Sequence, residues 1–114
     1  PTYNPDDNFL RKCLDSVLSQ SYPFFELCIS DDASTNNQVH KTLKEYADRD
    51  SRIKLTLRDS NGHISEATNS AIGISSGEFI AFLDHDDELT KDALFHIAEA
   101  INSNPSLRIV YSDE

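Results

Sequence analysis

Glycine is scarce in this chain. Only Gly62, Gly73 and Gly77 occur among its 114 residues, so neither a GxGxxG fingerprint nor a GxxxxGK[ST] phosphate loop can be written. Basic residues are few as well: 10 Lys and Arg against 20 Asp and Glu leave a formal charge of −10. Binding to a phosphate backbone draws on Lys and Arg, so nucleic acid is excluded as a partner. The same acidity argues against an anionic membrane surface. No apolar run approaches the roughly 18–20 residues that span a bilayer, so no transmembrane segment is expected. Residues 1–7 lack the basic and apolar stretches of a secretion signal. Two cysteines, Cys13 and Cys28, sit in apolar patterns and have no metal-type spacing, which points to buried, reduced thiols in a cytoplasmic protein.

What remains has the balance of one globular domain, 38% hydrophobic and 26% charged,. Leu10, Leu14, Val17 and Leu18 recur on one helical face. Asp6 and Asp7 precede them as capping candidates, and Ser21-Tyr22-Pro23 ends the helix. Residues 24–30 read as a short buried strand running into Asp31-Asp32. A second helix is predicted over 36–49, with Val39, Leu43, Tyr46 and Ala47 inward. Residues 53–57 alternate as a half-buried strand. The turn Asn61-Gly62 leads to a third helix over 64–74, with Ala67 and Ala71 on one side. Residues 79–83 are the most hydrophobic run and predict a central strand buried on both faces. A fourth helix opens near Thr90 as N-cap and carries Leu94, Ile97, Ala98 and Ile101; a last strand follows over 107–111. Strands alternating with helices predict an α/β, Rossmann-like, mostly parallel sheet flanked by helices.

Ligands of open parallel sheets bind beyond the carboxyl ends of the strands. Two predicted strands end there in acids: Asp31-Asp32, and Asp84-His85-Asp86-Asp87-Glu88. Crowded carboxylates repel one another, and a hard divalent cation such as Mg²⁺ or Mn²⁺ relieves that repulsion while gripping ligand phosphates. Asp87 and Glu88 fit a turn or capping role as well as they fit that cation. Alternate acids directly after a buried strand, as at Asp84 and Asp86, are poor turn filler. His40 and His96 fall on helices as surface or boundary residues. His63, at a helix start, is placed where a phosphate could meet it. No serine has a histidine and an acid at triad spacing.

In order and spacing, several pieces resemble the family 2 glycosyltransferases of the GT-A arrangement. These are Pro1-Thr2-Tyr3-Asn4, Ser16-Val17-Leu18-Ser19-Gln20-Ser21-Tyr22-Pro23, Phe25 through Thr35, Asn61-Gly62 with Ala67-Thr68-Asn69-Ser70-Ala71, and Gly77 through Asp87. The resemblance covers nearly the whole chain and implies its nucleotide-sugar-binding part, residues 1–114. It also implies transfer of a sugar from a UDP- or dTDP-sugar to an acceptor hydroxyl, with inversion, in cell-surface polysaccharide synthesis. Thr2 and Tyr3 would then lie against the nucleobase, and Asp32 would accept from a pyrimidine ring N–H. Asp84-His85-Asp86 matches the family's DXD motif, with Asp84 toward the ribose and metal, His85 beside them, and Asp86 on Mn²⁺ or Mg²⁺.

Against the family pattern, the sequence is expected to be trimmed. Apolar residues of a first strand should precede Pro1, and an acceptor-binding half carrying the general base should follow Glu114. The fragment alone is therefore expected to bind donor without turnover. The acceptor would be a sugar or lipid-linked glycan, and the protein cytoplasmic, held peripherally at the inner membrane face by missing regions. Other readings are a non-catalytic sugar-nucleotide-binding subunit and a phosphotransfer domain using Asp84. The second lacks the Thr or Val four residues after Asp84, where Glu88 stands, and a receiver-type variant lacks a Lys after 107–111.

Overall fold

The computed structural model describes residues 1–104; the strand expected over 107–111 lies outside them. The order is α1 (Asp7–Leu18), β1 (Leu27–Asp31), α2 (Asn37–Arg49), β2 (Ile53–Leu57), α3 (His63–Gly73) and α4 (Ala93–Ser103). Asp6 caps α1, its carboxylate accepting from the Asn8 and Phe9 amides at 3.0 and 3.2 Å, which satisfies donors that the first turn leaves free. Asn36 does the same for α2 through the Gln38 amide at 2.9 Å.

β1 and β2 pair in parallel, Leu27 opposite Ile53 and Asp31 opposite Leu57. With side chains alternating, Leu27 and Ile29 of β1 and Ile53, Leu55 and Leu57 of β2 share one face. That face meets Leu10 and Leu14 of α1 and Val39, Leu43 and Tyr46 of α2, and these residues form the core. Val39 and Leu43 are fully buried, each worth about 1.5–3 kcal/mol relative to exposure. α3 packs against both strands, its Ala67 buried. On the edge of β1 away from β2, Thr2 forms a single parallel bridge: its N–H donates to Ser30 O and its carbonyl accepts from Asp32 N–H, both at 2.8 Å.

Three expectations need correction. Residues 79–83 form no strand, and Phe79, Ile80 and Phe82 are exposed. A strand needs a neighbour for its N–H and C=O groups, and among the described residues none pairs with this run. The first strand begins at Leu27, not Phe24, because β2 starts at Ile53 and offers nothing earlier to pair with. Phe24 is exposed, and the Phe25 ring lies 4.3 Å from the Arg52 guanidinium. The fourth helix starts after Asp92, with Thr90 a turn earlier, its carbonyl accepting from Ala93 N–H at 3.0 Å.

Candidate functional site

The C-terminal end of β1 turns sharply through Asp31, Asp32, Ala33 and Ser34. Ala33 adopts a left-handed backbone with φ of 61°, a conformation that costs an L-residue with a Cβ about 1 kcal/mol. Asp31 holds the turn. Its fully buried carboxylate accepts from the Thr2 hydroxyl at 2.7 Å, the Ser34 amide at 3.0 Å and the Ser34 hydroxyl at 2.6 Å. His40 Nε2 of α2 lies 3.2 Å away on its other side. The chain start, the β1 end and α2 are thus tied to one carboxylate, which leaves the next residue, Asp32, to face the adjoining cavity.

That open cavity, about 780 Å³, is lined by Thr2, Tyr3, Asp32, Asn61, His63, Asp84, His85 and Asp86 among others. Its volume lies in the range of small-ligand sites. Every residue singled out from the sequence as a site residue, namely Thr2, Tyr3, Asp32, Asp84, His85 and Asp86, therefore borders one space. Tyr3 is half-exposed at the rim. Thr2 is buried, and its hydroxyl is spent on Asp31, so only its remaining surface meets the cavity. Asp32 is buried too. Its Oδ1 accepts from Arg58 Nε at 3.0 Å and from Gly62 N–H at 2.9 Å.

An acidic turn also borders this space. Asp87 N–H donates to Asp84 O at 3.1 Å, closing a four-residue turn. The turn gathers Asp84, Asp86 and Asp87, whose carboxylate oxygens come within 4.8 Å of one another. The sequence allows Asp87 as cation ligand or turn residue, and its side chain stands with the other two. A set of exposed carboxylate oxygens is the donor chemistry of a hard divalent cation, and these three residues fit Mg²⁺ or Mn²⁺. His85 lies between them with Nδ1 buried and no hydrogen-bond partner among the described residues.

Side chains whose contacts the sequence did not reveal hold the segment that follows this turn. From α1 and the turn after it, Ser16 Oγ accepts from Leu89 N–H at 3.0 Å, while Gln20 donates to Thr90 O at 2.7 Å and accepts from Leu94 N–H at 3.0 Å. Cys13 lies below, its Sγ 3.5 Å from Asp84 O. Burial, with the nearby Asp87 and Asp86 charges, pushes the Cys13 thiol up to about 11, so it is a packing group and not a nucleophile. Across the cavity α3 begins at His63, itself at φ 62°, and brings the positive end of its helix dipole to an otherwise acidic wall.

The model of the family described as glycosyl transferase family 2 matches residues 1–112. The chain belongs to that family. Among curated relatives, it is 46% identical over all 114 residues to an uncharacterized protein, y4gI, of Sinorhizobium fredii, of which it covers 12%. It is 39% identical to the O-antigen biosynthesis protein RfbC of Myxococcus xanthus, of which it covers 9%. The chain thus spans about a tenth of the length of these relatives. Among solved structures, S. aureus TarS in complex with UDP superposes with a TM-score of 0.83 at 29% identity, over 92% of this chain and 31% of that one. The α/β fold of this family 2 member is accordingly of the GT-A type, with its parallel sheet flanked by helices.

Proposed function

We propose that this chain is the donor-binding part of an inverting glycosyltransferase that moves a sugar from a UDP- or dTDP-sugar to an acceptor hydroxyl in polysaccharide synthesis. The observation that carries the reading is the one cavity lined by Tyr3, Asp32, Asp84 and Asp86, with Asp87 grouped with the last two. Family membership, a UDP-bound structural relative and a relative named for O-antigen biosynthesis all support it. The same membership sets aside a phosphotransfer role for Asp84.

In this reading Tyr3 packs its ring against a pyrimidine, beside Thr2, and Asp32 accepts the ring N–H. Asp84 lies toward the ribose, with His85 alongside, and Asp84, Asp86 and Asp87 would hold Mn²⁺ or Mg²⁺. The cation, when bound, supplies positive charge to the diphosphate leaving group as the glycosidic bond breaks. The start of α3 adds a further positive potential with no charged side chain. No described residue is assigned as the base that takes the acceptor proton, and the acceptor is a sugar or lipid-linked glycan. The two unpaired cysteines suit a cytoplasmic setting,.

Calorimetric titration of the protein with UDP, with and without Mn²⁺, tests this reading. Binding should require the metal, Asp86→Ala should abolish it, and Asp32→Ala should weaken it. Metal-independent binding, or binding indifferent to Asp86→Ala, would contradict it.

A further inference from the structure

Arg58 stands outside the cavity yet reaches into its machinery. Its backbone N–H donates to Asp31 O at 2.8 Å, which fixes its Cα at the end of β2. The guanidinium is then spread over three residues. Nε donates to Asp32 Oδ1 at 3.0 Å, Nη2 to Glu66 Oε2 at 3.1 Å, and Nη1 to the Ser70 hydroxyl and, at 3.3 Å, to Glu66 O. Glu66 and Ser70 stand one helical turn apart on α3, so a rigid helix locks the arginine fork. Gly62 N–H adds a second donor to the same Asp32 oxygen at 2.9 Å. Gly62 sits so close that a Cβ there would meet Arg58 Nη2 at 2.7 Å and Glu66 Cβ at 2.8 Å.

Both donors converge on Oδ1. Oδ2 accepts no hydrogen bond from the described residues, and Asp32 borders the cavity. The carboxylate is therefore clamped by one oxygen, and the other is left without a donor among the described residues. An ionised carboxylate only accepts: it binds a uracil ring N–H and repels the lone pair that cytosine carries at the same ring position.

We infer that Arg58 is the positioning residue that sets base selectivity, by fixing Asp32 so that Oδ2 is offered to a ring N–H. This rests on the reading of the cavity as a pyrimidine-nucleotide site and adds to it the residue that enforces the choice of base. Arg58 touches no ligand itself; it acts through Asp32.

The test is competition binding of UDP and CDP, with Mn²⁺ present, to the full-length protein containing this chain and to its Arg58→Met variant. Wild type should prefer UDP. Arg58→Met should lower the UDP-to-CDP affinity ratio by about tenfold, the scale of one charge-assisted hydrogen bond, with CDP affinity changed little. Equal weakening of both nucleotides at a constant ratio would overturn the proposal and leave the nucleotide site standing. No wild-type preference for UDP would remove the site reading itself, and the proposal with it. Should Arg58→Met not fold, Ser70→Ala, which frees one arm of the fork, should lower the ratio by about two- to threefold; an unchanged ratio there overturns the inference equally.

Discussion

Replacing Asp31 should damage this domain more than replacing any of the exposed acids around the cavity. The carboxylate is fully buried and receives three donors within 3.0 Å, with a histidine nitrogen at 3.2 Å. In Asp31→Asn the amide group can face the Thr2 and Ser34 hydroxyls, which can turn to accept. The amide oxygen then keeps the Ser34 N–H and His40. One weakened charge-assisted set remains, and the cost should be about 2 kcal/mol. Asp31→Ala offers no such rearrangement. It leaves the Ser34 amide, two hydroxyls and a ring nitrogen facing an apolar methyl, and frees Ala33 to leave its left-handed conformation. Non-additive losses of this kind sum to about 3–5 kcal/mol, against a typical domain stability of about 5–15 kcal/mol. Urea denaturation followed by circular dichroism measures both. A loss below about 1 kcal/mol for Asp31→Ala, or a larger loss for Asn than for Ala, would refute the idea that this carboxylate ties the chain start, β1 and α2 together.

Other outcomes follow from the same contacts. Lys54, with the Ser76 and Gly77 amides and the Ser76 hydroxyl, holds the Glu26 carboxyl down to about 2 from an ordinary value near 4.5. A depressed carboxyl stabilises the fold above its unfolded pKa and loses that contribution as pH falls through the folded one. Melting temperature should therefore decline between pH of about 4.5 and about 2, and Glu26→Gln should flatten that decline. Gly62→Ala drives a methyl into Glu66 and Arg58 and should weaken UDP binding severalfold while costing about 1–3 kcal/mol of stability, measured by calorimetry and urea melts. Leu43→Ala, in the fully buried centre of α2, should cost about 2–5 kcal/mol without altering the metal dependence of nucleotide binding.

The parts of the fold read most directly from sequence are those whose partners are local. Leu10, Leu14 and Val17 lie on one helical face because that face is buried, and the alternation of residues 53–57 put Ile53, Leu55 and Leu57 on the core side. The cavity was legible because its acids follow apolar runs, of which only the one before Asp31 and Asp32 proved to be a strand. The run 79–83 misled because hydrophobicity reports the wish for burial and not the presence of a pairing strand. The contacts of Arg58, Ser16 and Gln20 were not legible for a different reason. Arg58 meets Asp32 across 26 residues, and Ser16 and Gln20 grip backbone more than 70 residues away. No local pattern records such contacts.

Manganese itself provides the most direct trial of the acidic turn as half of a nucleotide-sugar site. Paramagnetic Mn²⁺ added to isotope-labelled protein with UDP should broaden the amide signals of Asp84, His85, Asp86 and Asp87 first. Tyr3 and Gly62 should follow, while Lys44 and Asp48 on the exposed side of α2 stay sharp. Broadening centred on α2, or spread evenly over all twenty acids, would contradict the account.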